Sequence, residues 1–305
     1  MPASPPTPPL SSGSEGNQDG GDFTQRGAED NSSPLQAVWE GCDPMTWRNA
    51  AYKDTPIMVQ LFKDEVALFQ DFQKAKAGSF TKTAIVEVGM GTAELFSKVV
   101  DDYDVVVGID VAQPFIDLAY EIHPNLKAEA GKKCRLTQGN AVYLRKVLRE
   151  KIFPTADDFW ADSTHRLTCM CMNTFGIMPD FVRAACIKEM YLCSGPGNDM
   201  IVGCWYKPML REGFEQLYTP HPALTNGQCK ESDFDFEAGD FVCSGELNGK
   251  PSDYTSHWWS EDELRKILTE NFPGDSSSGL AVEFVIKGCG IFAICKIAAD
   301  AKLCE

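Results

Sequence analysis

Residues Ala84-Ile85-Val86-Glu87-Val88 form a short, largely β-branched run that stops at a glycine, and Gly89-Met90-Gly91-Thr92-Ala93-Glu94-Leu95-Phe96 follows. An apolar run of this length bounded by glycine reads as a buried parallel strand. A strand that turns through glycines directly into a helix leaves bare backbone for a ligand to lie against, with the helix N-terminus aimed at it. The pocket this predicts is of the nucleotide type. The Lys-Ser/Thr ending of a phosphate-cradling loop is missing. Glu94 stands where a dinucleotide fingerprint has its third glycine, and a carboxylate there repels a pyrophosphate. The expected ligand therefore lacks one.

A second apolar run, Tyr103 to Asp110, ends in a carboxylate about twenty residues beyond the first glycine, where an acid accepts both hydroxyls of a ribose. Together, Glu87-x-Gly89-x-Gly91 and Asp110 resemble motif I and the second-strand acid of the class I S-adenosyl-L-methionine (SAM)-dependent methyltransferases. Ala93 replaces the third glycine common in that family. The resemblance implies a doubly wound α/β fold with a seven-stranded, mostly parallel sheet, a final antiparallel hairpin, an N-terminal helical lid and an insertion after the fifth strand. It implies SAM as cofactor, held by Glu87, Gly89, Gly91, Asp110 and Val111, by Asn140 and Ala141 after the third strand (135–141), and by Asn173 after the fourth (167–172). The family commonly has an acid at the Asn140 position; an amide oxygen offers the same acceptor.

Chemistry is expected beyond the fourth strand, at the carboxyl edge of the sheet. Asn173-Thr174-Phe175-Gly176 is similar to the Asn-Ser-Phe loop of small-molecule N-methyltransferases of the glycine and sarcosine type, which implies in-line transfer to an amine nitrogen. Such a transfer needs alignment and desolvation more than acid-base work. Asn173, Tyr254 and His257 are the candidate catalytic residues, and Trp47, Tyr52, Phe175 and Tyr206 the candidate acceptor-binding ones. His123, His165 and His221 read as surface residues. A thiol, metalloid or protein methyltransferase, an aminopropyl transferase and a non-catalytic SAM-binding regulator remain alternatives.

Residues 1–34 are rich in Pro, Ser and Gly and too poor in apolar side chains to offset chain entropy, so a disordered tail is expected ahead of one methyltransferase domain over 35–305. Within that domain, Thr55 is placed to cap a helix opening at Pro56, with Met58, Leu61, Phe62, Val66, Phe69 and Phe72 at helical spacing. Ser260-Glu261-Asp262-Glu263 reads as a capping box. Between them, 208–258 reads as an insertion on the substrate side, with strands at 235–242 and 254–258. The net charge of -16 leaves no basic stripe for nucleic acid and disfavours anionic membranes. Of the 12 cysteines, Cys169, Cys171, Cys204, Cys289 and Cys295 lie in apolar strand-like runs without paired C-x-x-C spacing, so they read as reduced core residues of a cytoplasmic protein with no metal. A small-molecule methyl acceptor is the partner expected.

Overall fold

Strands β4 (Thr164–Met170) and β5 (Asp199–Trp205) are buried at every position, the pattern of strands covered on both faces. The computed structural model describes residues 36, 39–76, 78–127, 133–154, 158–225, 229–247, 250–270 and 279–301. The tail expected over 1–34 lies outside them. With β1 (Lys82–Val88), β2 (Val105–Asp110), β3 (Cys134–Gln138), β9 (Leu280–Lys287) and β10 (Gly290–Ile297), these strands make a seven-stranded sheet of order β3-β2-β1-β4-β5-β10-β9. The first five are parallel, and β10 runs antiparallel between β5 and β9. The order reverses between β1 and β4, where an open α/β sheet leaves a crevice at its carboxyl edge. The expected fold class is observed.

The longer helices are α1 (Pro44–Asn49), α2 (Pro56–Lys76), α3 (Gln113–Ile122), α4 (Asp180–Ser194) and α5 (Glu261–Glu270). Asp43 caps α1 by accepting from the Thr46 N–H (3.0 Å). At α5 the capping box forms: the Glu263 N–H donates to Ser260 Oγ (3.3 Å) while Glu263 Oε2 accepts from the Ser260 N–H (2.8 Å). Thr55 departs from expectation. Its carbonyl accepts from the Met58 and Val59 N–H groups, but its hydroxyl pairs with His221 Nε2 at 2.9 Å, tying the start of α2 to the loop after the fifth strand.

Two further expectations need correction. The strand expected over 235–242 is divided into β6 (Phe234–Asp235) and β7 (Asp240–Leu247), and with β8 (Lys250–His257) they make a three-stranded sheet of order β6-β7-β8. Asp235 Oδ1 accepts from the Glu237 and Ala238 N–H groups, and this side-chain turn breaks the strand. The histidines are also misjudged by their loop-like context. His165 is 1% exposed: its Nε2 meets Asp199 Oδ2 at 2.7 Å, Lys76 Nζ reaches the same oxygen, and the Phe72 and Phe80 rings flank it. Burial raises the Asp199 carboxyl, but His165 and Lys76 outweigh it and hold it below the usual range. His123 is buried as well.

Candidate functional site

The glycine loop after β1 takes its shape from three left-handed residues, Gly89 (φ 67), Gly91 (φ 54) and Ala93 (φ 55). The Gly89 N–H donates to the Ile109 carbonyl (2.8 Å), drawing the loop against the end of β2. A Cβ on Gly89 would overlap the Thr174 side chain, whose hydroxyl donates to the Gly89 carbonyl at 3.3 Å. At the tip of β2, Asp110 Oδ2 accepts from the Gly91 N–H (2.8 Å) and Oδ1 from the Ala112 N–H (2.9 Å). These backbone bonds fix the carboxylate beside the loop.

Beside this loop lies a cavity at the carboxyl edge of β1, β2, β3 and β4. Of the residues anticipated from sequence, Trp47, Tyr52, Glu87, Gly89, Gly91, Asp110, Val111, Ala141 and Asn173 line it. Trp39, Phe115, Met172, Trp205, Tyr218 and Ser256 line it too, without having been anticipated. Glu87 is 5% exposed, and its Oε2 has no hydrogen-bond partner. Burial, reinforced by Glu65 and Asp110, holds its carboxyl well above the usual carboxylate range. An orphaned buried oxygen costs about 1–3 kcal/mol, and at a cavity wall it asks for a donor from a ligand.

The loop after β4 carries strain. Met172 (φ 50) and Asn173 (φ 60) are both left-handed, a conformation asparagine tolerates by bonding locally. Asn173 is 1% exposed; its Nδ2 donates to Ser256 Oγ (3.2 Å), and its Oδ1 accepts from the Trp205 N–H (3.2 Å). The chain of bonds continues through Tyr218, whose hydroxyl lies 3.3 Å from Ser256 Oγ and accepts from Trp258 Nε1. The ends of β4 and β5 and the strand β8 are thereby locked together around one face of the cavity.

Four anticipated residues with described side chains are not among those lining it. Asn140 is turned to the backbone, its Oδ1 accepting from the Val142 N–H (3.1 Å). Phe175 is fully buried against Trp259 and Arg183. Tyr206 packs into the core on the Trp259 side, with its N–H donated to the Cys289 carbonyl (2.8 Å). His257 follows Ser256 on β8, so the strand pleat sends it to the opposite face. There its Nδ1 pairs with Asp240 Oδ1 at 2.7 Å, and the ring lies edge-on to Trp259. The side chain of Tyr254 lies outside the described residues.

The lid is pinned through an acid that stands in the glycine loop. Arg48 Nε donates to Glu94 Oε1, and His123 Nε2 lies 3.2 Å from that oxygen without hydrogen-bond alignment. Burial raises Glu94, but His123 and Arg48 more than offset this and keep it ionised. Arg48 lies on α1 next to Trp47, so this pair sets Trp47 at the cavity wall.

Behind the cavity, Glu65 on α2 is 1% exposed and is bonded to Cys171 and the Met172 N–H. Burial pushes its carboxyl up to about 7 against those two bonds. A raised folded-state value means that its contribution to stability is complete below the ordinary value of 4.5 and is lost as pH rises towards about 7. Glu65→Gln keeps an acceptor for Met172 and carries no charge. Its unfolding free energy should therefore fall less than that of the wild type between about pH 5 and about pH 8, by up to about 3 kcal/mol at 1.36 kcal/mol per pH unit. Parallel chemical-denaturation curves for the two proteins would refute this.

No family model matches the sequence, and neither does any curated protein. Solved structures do. Magnesium protoporphyrin IX methyltransferase (ChlM) from Synechocystis PCC 6803, solved with bound SAH, is similar at a TM-score of 0.54 and 11% identity, over 88% of this chain and 100% of that one. The DhpI–SAH complex is similar at 0.50 and 13%, over 87% and 96%. With the strand order, these likenesses show that the chain has the fold of the class I SAM-dependent methyltransferases.

Proposed function

We propose that the chain is a SAM-dependent methyltransferase acting on a small molecule, with an amine nitrogen as acceptor. The observation that carries this reading is the carboxyl pair Glu87 and Asp110 flanking the Gly89–Gly91 backbone at the switch point of the sheet, with one Glu87 oxygen unpartnered. Asp110 suits a ribose diol. Glu87 suits the cofactor's ammonium group, which would draw off the proton that burial keeps on the carboxyl. Val111, Phe115 and Ala141 offer apolar faces to an adenine ring. The residues present therefore fit SAM, which supplies a methyl group already activated on a sulfonium.

The chain's own share is placement and drying. The lid segment brings Trp47 and Tyr52, and the excursion over 208–258 brings Tyr218 and Ser256, so that the acceptor end is covered from both sides. Asn173 keeps the loop after β4 in its strained form, which fixes the floor. No imidazole lines the cavity among the described residues, so an amine must enter as its neutral form, and kcat/KM should rise with pH towards the acceptor's own pKa. Incubation with SAM and a panel of amines, thiols and alcohols, read by mass spectrometry, tests the assignment. A single-methyl mass gain on an amine is expected, whereas methylation of alcohols or thiols alone would sink the amine reading.

A further inference from the structure

Resting on methyl transfer from SAM but not on the amine as acceptor, we propose that the acceptor atom is a nitrogen or sulfur lone pair with no proton to lose, in a tertiary amine or thioether that also carries an oxygen function. The product is then a permanent onium cation. Charge argues first: among the described residues the cavity wall has no Lys, Arg or His to pair with an anionic acceptor, while Asp110 adds a carboxylate of its own. The faces of Trp39, Trp47, Tyr52, Trp205 and Tyr218 make up much of the rest, and aromatic faces are the surface that best holds an alkylated cation.

Proton traffic argues next. The two Asp110 oxygens already accept backbone N–H groups, Glu87 is held protonated by burial in the free protein and is paired with the cofactor's ammonium once SAM is bound, and burial with neighbouring carboxyls raises the Tyr52 phenol. Nothing on this wall takes up the proton that an alcohol, acid or amide releases on methylation. Trp205, which lines the cavity, is 2% exposed and its Nε1 has no partner, so the polar group it can offer is a donor. An indole N–H serves an oxygen and cannot serve an ammonium N–H. The Ser256 and Tyr218 hydroxyls are already engaged with each other and with Asn173 and Trp258. In the transfer, the acceptor lone pair forms the new bond to the methyl carbon while the carbon–sulfur bond of the sulfonium donor breaks and its electron pair returns to that sulfur. Positive charge passes to the product, and no proton moves.

The test uses the full chain saturated with SAH, so that a cationic probe cannot enter the cofactor's place, and follows binding by calorimetry. Choline is expected to bind about tenfold or more tightly than its neutral tert-butyl isostere, with Tyr52→Leu reducing that preference at unchanged SAH affinity. Trp205→Phe, which keeps the wall and removes the donor, is expected to weaken choline but not tetramethylammonium. Equal binding of choline and the isostere to the wild type overturns the proposal. With SAM in place of SAH, methylation is expected of a tertiary dimethylamino or thioether acceptor in preference to a primary amine or an alcohol; a rate rising with pH marks the amine and a flat profile the thioether. Preference for the primary amine or the alcohol overturns the proposal and leaves methyl transfer standing, whereas failure of SAH to bind removes both.

Discussion

Gly89→Val is expected to abolish SAH binding and to lower the melting temperature by about 5–15 °C. Gly89 sits at φ 67, where a β-branched residue is penalised by roughly 1–2 kcal/mol. Its new Cβ would also overlap the Thr174 side chain, and overpacking of this kind costs typically about 1–3 kcal/mol. In a chain of this size each kcal/mol moves the midpoint by about 2–4 °C. Relief is blocked, because Thr174 belongs to the strained loop whose Asn173 is tied to Trp205 and Ser256. The damage therefore spreads from the glycine loop to the floor of the cavity. Calorimetric scans and SAH titration of the variant check this, and a wild-type midpoint with wild-type affinity would show the loop to be looser than its geometry implies.

Asp110→Ala is expected to weaken SAH by about 1–3 kcal/mol, or about 5- to 150-fold, through loss of the acceptors for a ribose diol. The same change leaves the Gly91 and Ala112 N–H groups without their partners, so a modest fall in melting temperature should accompany it. Asp110→Asn offers one oxygen where two were used and should fall between the two proteins. The order wild type, Asn, Ala in SAH affinity is the outcome to look for; a flat series would detach Asp110 from the ligand.

The parts of this molecule legible in its sequence are those set by near neighbours. The run ending at Gly89, the acid closing β2 and the Ser260 capping box are local signals, and each forms where its pattern lies. What stayed hidden depends on pairing over long separations. His165 looks like a loop residue until Asp199, 34 positions away, is brought to it. Register on β8 decides whether Ser256 or His257 faces the cavity, and a shift of one residue exchanges them. His257 stood out in sequence as the histidine nearest the substrate region, while Ser256 carried no signal of its own. Trp205 and Tyr218 are buried core residues that the sequence did not single out for the cavity, and the Trp205 indole N–H is left without a partner. Asn140 illustrates another limit, since the amide expected to meet a ligand caps its own backbone.

The central claim is that the cavity bordered by Glu87 and Asp110 binds the SAM scaffold, with Glu87 taking its ammonium group. Burial keeps Glu87 protonated at neutral pH, and an ammonium against its unpartnered oxygen reverses that preference. Titration calorimetry with SAH near neutral pH, repeated in two buffers of different ionisation enthalpy, measures affinity and proton exchange together. The account predicts saturable one-to-one binding with release of close to one proton, a release lost in Glu87→Gln. Absence of saturable binding, or the same proton release from Glu87→Gln as from the wild type, would contradict it.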